Sequence, residues 1–108
     1  MKITEKQLQS AVITYLKYRP DVYFIRNNSI AGKIIRPNGT IGWVNNAKIG
    51  SPDIVLVKDG KFIGLELKSS NGRQSKEQKQ AEKDIKHCGG IYKIVRYIDD
   101  IVELLGAK

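Results

Sequence analysis

Two carboxylates and one lysine stand among the apolar residues of the segment SPDIVLVKDGKFIGLELKSS, residues 51–70. The segment has two β-favouring runs joined by an Asp-Gly pair, which is typical of a tight hairpin turn. With that pair as a two-residue loop, Asp53 lies directly opposite Glu66, and directly opposed residues project from the same face. Lys68, two residues beyond Glu66, shares that face. The predicted register therefore gathers Asp53, Glu66 and Lys68 at one end of a hairpin.

This grouping is typical of a metal site. Two opposed carboxylates destabilise a sheet unless a cation lies between them or one carboxyl group is protonated. Hard divalent ions such as Mg²⁺ take oxygen ligands, often one or two carboxylates with substrate phosphate and water. Lys68 would stand beside such an ion, where it could orient or help to deprotonate a water molecule. The alternative is that Lys68 neutralises the pair at a solvated strand end, and a one-residue change in loop length would also break the alignment.

Two further polar residues lie on the inward-facing stripes of predicted helices. Glu5 comes one turn before the apolar residues of the first helix, although an acid in a first turn also suits the helix dipole. Gln78 heads the stripe of the second long helix, where a capping box with Ser75 would explain it equally well. We expect Cys88, at the end of that stripe, to lie in the core.

The elements that must position these residues follow from hydrophobic periodicity and turn signals. The chain has no repeat, no low-complexity segment and no linker, so we expect a single α/β domain over residues 1–108. The predicted elements are a helix over 5–18, a strand over 22–26, a hairpin over 33–44, a second hairpin over 53–68, a helix within 75–90, a strand over 91–97, and a short final helix capped by Asp99 or Asp100.

Composition limits the class of protein. At 108 residues, with 41% hydrophobic and 28% charged residues, the chain can build one ordinary globular core. No apolar run is long enough to span a bilayer, and the first ten residues lack the hydrophobic segment of a signal peptide. Cys88 is the only cysteine and His87 the only histidine. An intrachain disulfide is therefore impossible, a reducing compartment is expected, and a structural zinc site within one chain is not.

The net charge of +8 is uneven, since the first fifty residues hold eight Lys or Arg and only two acids. Such an excess suits a polyanion such as nucleic acid, although basic charge also keeps small proteins soluble. We interpret the insertion over 27–50 as a DNA-binding element, although exposed basic hairpins are common on ordinary domains. The candidate DNA-binding residues are Lys33, Arg36 and Lys48, with Trp43, in the insertion, and Arg73 and Lys76 at the start of the second long helix.

Taken together, these residues resemble a known nuclease signature. GSPD, followed later by ELK and then by SSNGRQSKEQ, is similar to the PD-(D/E)XK motif, and more narrowly to the stand-alone VRR-NUC domains of phage and bacterial proteins. The resemblance covers nearly the whole chain. It implies a restriction-endonuclease-like αβββαβ core, with a mixed sheet flanked by helices and here an extra hairpin insertion.

The resemblance also implies roles for single residues. Asp53, Glu66 and the backbone carbonyl of Leu67 match ligands of a Mg²⁺ or Mn²⁺ ion, and Lys68 matches the catalytic lysine. Glu5 matches the first-helix acid that supports the metal directly or through water. The remaining matches are Gln78, the glutamine of the helix after the active strand, and more weakly Gln9.

The implied activity is that of a metal-dependent DNA endonuclease that hydrolyses phosphodiester bonds. Relatives suggest branched substrates, four-way junctions or flaps, cut in the manner of a Holliday-junction resolvase in the cytoplasm of a bacterium or of a phage host. Two alternatives remain, a non-catalytic nucleic-acid-binding module and an ordinary interaction domain.

Symmetric cutting of a junction by such a nuclease would require a homodimer, because one chain offers one site. The apolar residues available for a dimer interface are Ile34, Ile35, Ile41 and Trp43 of the first hairpin, or the C-terminal IVELL over 101–105. The alternative is a monomer in which Trp43 packs over its own hairpin.

Overall fold

The computed structural model of the chain describes residues 3–27, 31–45 and 50–106. The sequence predicted all of its elements, in this order. They are α1 (Glu5–Lys17), β1 (Tyr23–Arg26), β2 (Ala31–Ile35), β3 (Ile41–Asn45), β4 (Ile54–Lys58), β5 (Lys61–Leu67), α2 (Lys76–His87), β6 (Ile91–Val95) and α3 (Ile98–Leu105). In the described part of the chain, no helix is long and apolar enough to cross a membrane.

Four strands form one mixed sheet in the order β1-β4-β5-β6. The β1–β4 and β4–β5 pairs are antiparallel, whereas β5 and β6 are parallel because α2 makes the crossover between them. The strands β2 and β3 form a separate two-stranded sheet, so the extra hairpin is an insertion into the αβββαβ core, as predicted.

The core lies on one face of the four-stranded sheet, under α1 and α3. In α1 the buried residues are Leu8, Val12 and Leu16, at the spacing of one helical face. In β4 the buried Ile54 and Leu56 alternate with more exposed neighbours, as expected for a strand with one covered face. The core is completed by Ile63, Leu65, Leu67, Val95, Ile101 and Leu105.

The β4–β5 hairpin has the predicted turn. Lys58 pairs with Lys61, so Asp59 and Gly60 are the two loop residues, with φ angles of 53° and 77°. Positive φ at both positions is what a type I′ turn requires, and its twist matches that of the flanking strands. This turn therefore sets the register of the whole hairpin as the sequence predicted it.

Both predicted capping boxes are present at the helix starts. In α1 the Thr4 hydroxyl accepts a hydrogen bond from the Gln7 N–H, and the Gln7 side chain accepts one from the Thr4 N–H. Ser75 and Gln78 make the same reciprocal pair at the start of α2. Each box satisfies two backbone N–H groups that a helix start leaves without partners.

The start of α3 differs from the prediction. The helix begins at Ile98, before Asp99 and Asp100, so neither acid occupies the position that precedes the helix. Asp100 instead caps from within the first turn, because its Oδ2 accepts hydrogen bonds from the backbone N–H groups of Arg96 and Tyr97. The sequence therefore identified Asp100 as a capping residue. It did not show the first residue of the helix, because Asp100 binds backbone N–H groups that precede it by three and four residues.

The prediction that Cys88 lies in the core is wrong, since its side chain is exposed. None of the described α2 residues is buried, so the sheet covers the apolar side of this helix only in part. The contact is made by Ile85, which lies above Gly64. A β-carbon at Gly64 would come 2.6 Å from the Pro52 ring, so only glycine fits at this position beneath Pro52 and Ile85.

The C-terminal IVELL segment serves the core of its own chain. Ile101 is fully buried and Leu105 is 4% exposed, whereas Val102 points to solvent. Arg19 helps to fix this end, because its guanidinium donates hydrogen bonds to the carbonyl oxygens of Leu105 and Gly106. Ile101 and Leu105 therefore cannot supply a dimer interface, and the prediction is wrong for these two residues.

Candidate active site

Asp53 and Glu66 meet at the end of the β4–β5 hairpin. The ladder runs to the pair Ile54 and Leu65, and Asp53 and Glu66 are the next opposed positions. Their carboxyl groups are close enough to share a hydrogen bond. Asp53 Oδ2 also accepts a hydrogen bond from the Leu67 backbone N–H at 2.8 Å. The register expected from the sequence thus places both carboxyl groups on the same face of the sheet.

Glu66 has an unusual environment for a carboxyl group. Its side chain is 1% exposed, and among the described residues its Oε1 has no hydrogen-bond partner. The pKa of Glu66 is raised from 4.5 to about 9, first by burial and then by the hydrogen bond and negative charge of Asp53, while the charge of Lys68 acts to lower it. At neutral pH, and without a bound cation, Glu66 therefore keeps a proton next to the Asp53 carboxyl group. A cation bound at the same place would also relieve the repulsion between the two carboxylates.

Lys68 follows β5 directly and is fixed at its backbone. Its N–H donates to the Val95 carbonyl at 3.0 Å, which extends the parallel ladder with β6 by one residue. The loop beyond it is held by Arg96, whose Nη1 donates to the carbonyl oxygens of Ser69 and Gly72, each at 2.7 Å. Gly72 packs on the lysine stem, since a β-carbon there would lie 3.3 Å from Lys68 Cδ.

A cavity of about 250 Å³ opens beside the carboxyl pair. The first turns of α1 form one wall of it and the strand ends form the other. Glu5 is exposed at its mouth, and the negative charge of Glu5 contributes to the raised pKa of Glu66. The lining residues are Glu5, Lys6, Gln9, Asp53 and Leu67. The fold thus brings Glu5 and the weaker candidate Gln9 to the same place as Asp53.

The donor set fits a hard divalent ion that keeps part of its water. Over residues 3–27, 31–45 and 50–106, no three Asp, Glu, His or Cys side chains are grouped closely enough to bind a metal by themselves. An ion beside Asp53 and Glu66 would therefore need a backbone carbonyl and water as well, which is the usual coordination of Mg²⁺. The unpartnered Oε1 of the buried Glu66 is the atom that such an ion would satisfy.

Gln78 lies at the start of α2, where its side-chain oxygen accepts the hydrogen bond from Ser75 N–H at 2.8 Å. The capping role proposed as the alternative is thus present, and a role for Gln78 in catalysis stays a prediction. Arg73 and Lys76 are exposed near the same helix start. Their role in DNA binding stays a prediction.

The basic hairpin residues are only partly described. Lys48 lies outside the described residues, and the side chains of Lys33 and Trp43 do too. Arg36 is exposed and folds back over its own hairpin, donating a hydrogen bond to the Ile41 carbonyl at 3.1 Å. Its guanidinium covers Gly42, where a β-carbon would collide with it.

Sequence reasoning missed two basic residues near the site, Arg96 and Lys6. Arg96 follows a strand, and no sequence pattern shows whether such an arginine binds a loop or is only a solvated surface charge. Lys6 sits next to Glu5, on the helix that the sequence did place at the site. Only the packing of α1 against the strand ends shows that Lys6 reaches the cavity.

The fold has a counterpart among solved structures. A structure described as a VRR_NUC domain protein matches this chain with a TM-score of 0.70 at 17% sequence identity. The match covers 97% of this chain and 87% of that chain. A comparison with protein-family models gives no match, and neither does a comparison with curated proteins. The likeness establishes the fold, a four-stranded mixed sheet flanked by helices as in restriction endonucleases.

Proposed function

We propose that this chain is a metal-dependent endodeoxyribonuclease of the VRR-NUC type, within the PD-(D/E)XK superfamily. The observation that carries the proposal is the buried carboxyl pair of Asp53 and Glu66, with one unpartnered oxygen, next to Lys68. A protein that only binds nucleic acid has no use for such a pair, because an uncompensated buried carboxyl group destabilises the fold. The similar fold of a VRR_NUC domain protein supports the same assignment.

Asp53, Glu66 and the backbone carbonyl of Leu67 would bind Mg²⁺ or Mn²⁺. Such an ion, when bound, supplies Lewis acidity and lowers the pKa of coordinated water. A cation bound there would favour the ionised form of Glu66, because its positive charge would take the place of the proton. The Lys68 ammonium, whose charge acts on Glu66, would orient the attacking water or the phosphate oxygen. Glu5, at the cavity mouth, would accept hydrogen bonds from water on the α1 side.

The nucleic acid would be held by charge outside this pair. Arg73, Lys76 and the free N–H groups at the start of α2 offer phosphate contacts on one side of the site. The basic hairpin β2–β3 offers a second contact surface. We place the protein in the cytoplasm, where its DNA substrate and a reducing environment for Cys88 are both found.

Cleavage of labelled DNA tests the proposal. We expect the protein to cut DNA with Mg²⁺ or Mn²⁺ and to be inactive in EDTA, with four-way junctions or flaps cut faster than linear duplex of the same sequence. Gel analysis of end-labelled strands measures both the rate and the position of cutting. Binding of every substrate without cleavage, under either metal, would favour the non-catalytic binding module instead.

We propose further that the active species is a homodimer formed through the β2–β3 hairpin. Ile35 and Ile41 are directly paired in that hairpin and are 75% and 55% exposed, so they form an apolar surface without a partner in the described chain. Paired hairpins would also cover exposed strand edges.

Light scattering at micromolar protein, with and without junction DNA, tests the dimer. We expect the mass of two chains in the wild type and of one chain in the Ile35→Ser/Ile41→Ser variant, because serine removes the apolar contact area. Val102→Ser, at an exposed apolar residue on α3, is the matched control and should leave the mass unchanged. A monomer in both conditions that still cuts junctions symmetrically would contradict the proposal.

A further inference from the structure

Arg26 ends β1 and lies against the first turns of α1. Its Nη2 donates a hydrogen bond to Gln9 Oε1 at 2.9 Å, and the side chain is otherwise exposed. Within the described residues this is the only hydrogen bond of the Arg26 side chain, and the side chain makes no ion pair there. A neutral amide therefore orients the guanidinium without neutralising its charge.

The backbone around Arg26 is fixed relative to the carboxyl pair. Arg26 pairs with Ile54, the residue that follows Asp53. The next residue, Asn27, donates its backbone N–H to the Asp53 carbonyl at 2.8 Å and its side-chain amide to the Pro52 carbonyl at 2.9 Å. The end of β1 is thus bound to the segment that carries Asp53, and Arg26 cannot move far from the site.

On its α1 side the cavity beside Asp53 has basic side chains next to the acid Glu5. Lys6 and Gln9 line it, and Gln9 is the residue that orients Arg26. Lys6 also makes no ion pair within residues 3–27, 31–45 and 50–106. Two unpaired cations therefore adjoin a cavity whose other wall carries Asp53. A carboxylate wall next to basic side chains suits a nucleic-acid strand. The metal ligands would face the reacting phosphate, and the basic side chains would bind the phosphate next to it.

We infer that Arg26, oriented by Gln9 and aided by Lys6, binds a backbone phosphate of the nucleic-acid strand next to the reacting phosphodiester. A guanidinium suits this task because its remaining N–H groups match two phosphate oxygens at once. The inference rests on the proposed nuclease function and assigns a contact on the α1 side of the site. It predicts that Gln9 contributes to binding only through Arg26.

Equilibrium binding in EDTA tests the subsite without cleavage. Fluorescence anisotropy of a labelled DNA four-way junction and of a duplex, from about 50 to about 200 mM NaCl, gives the affinity and its salt dependence. We expect Arg26→Ala to weaken binding about 5- to 20-fold at the lower salt. Its log–log salt slope should be shallower by about 0.9, the value for one lost phosphate contact on duplex DNA.

The matched control is Lys17→Ala, which removes one exposed positive charge from α1 roughly 16 Å from Lys6 along the helix axis. It should bind within about twofold of the wild type. Gln9→Ala should weaken binding less than Arg26→Ala does, and the double variant should bind no more weakly than Arg26→Ala alone. Circular dichroism and thermal unfolding check that each variant is folded.

Two results would overturn the inference. One is an Arg26→Ala protein with the affinity and salt slope of Lys17→Ala, and the other is independent, additive losses from Arg26→Ala and Gln9→Ala. If the wild type cleaves DNA and either result is found, the subsite is wrong while the nuclease function stands. If the wild type binds as expected but never cleaves, the nuclease function is wrong while the phosphate contact stands. A wild type that binds no DNA would refute both.

Discussion

Replacing Asp53 by asparagine, or Lys68 by alanine, is expected to abolish DNA cleavage while leaving DNA binding largely intact. The loss should be about 10³-fold or more, the scale on which positioned acid–base and metal-binding groups contribute. Neither change should disturb the fold. In Asp53→Asn the amide oxygen can still accept the hydrogen bond from the Leu67 N–H, and the backbone bond from Lys68 to Val95 does not involve the lysine side chain. Binding should persist because phosphate contacts elsewhere supply the affinity.

Single-turnover cleavage of a labelled junction and anisotropy in EDTA measure the two properties separately. Lys61→Ala is the matched control for Lys68→Ala, because Lys61 is an exposed lysine at the turn end of the same strand. It should cleave at the wild-type rate. If Lys68→Ala also cleaves at that rate, the mechanism proposed for the lysine is wrong.

In metal-free protein the free energy of unfolding should fall as the pH rises from about 5 to about 9. The folded pKa of Glu66 is raised from 4.5 to about 9, so the folded state keeps a proton that the unfolded chain has already released. The stabilising contribution of this group is therefore fully present below about pH 4.5 and is lost as the pH approaches 9. Each pKa unit corresponds to about 1.4 kcal/mol, so a difference of even one unit between the folded and unfolded states should change the unfolding temperature by several °C.

Thermal unfolding in EDTA across this pH range checks the expectation. Glu66→Gln keeps a neutral group of the same shape, so its unfolding temperature should exceed that of the wild type at about pH 8 and vary less with pH. Glu103→Gln, on the exposed side of α3, is the control and should follow the wild type. Added Mg²⁺ should stabilise the wild type at this pH but not Glu66→Gln. Equal pH dependence of wild type and Glu66→Gln would show that Glu66 does not titrate as inferred.

The hairpin that builds the site could be predicted because its information is local. Asp59 and Gly60 both adopt positive φ, as in a type I′ turn with a two-residue loop. The length of this loop determines which residues of β4 and β5 face each other. The opposition of Asp53 and Glu66 follows from this turn alone. The capping boxes that start α1 and α2 are local in the same sense, since each involves residues three apart in sequence.

The features that could not be predicted depend on contacts between distant segments. Arg96 binds carbonyl groups of Ser69 and Gly72, and Arg26 binds Gln9, yet neither arginine has neighbours in sequence that mark it. Cys88 was misplaced for a related reason. Helical periodicity shows which face of α2 is apolar, but it does not show how deeply the rest of the protein buries that face.

The dependence of the Lys68 loop on Arg96 has a consequence for the order in which the chain is made. Lys68 is held through Val95 and Arg96, which leave the ribosome only after Lys68, its loop and the whole of α2 have been synthesised. The strand β6 and the start of α3 must therefore dock before the lysine is in place. A nascent or prematurely terminated chain that ends before residue 95 contains Asp53, Glu66 and Lys68 but lacks the contacts that hold Lys68 and its loop, so we expect it to be inactive in the cleavage assay.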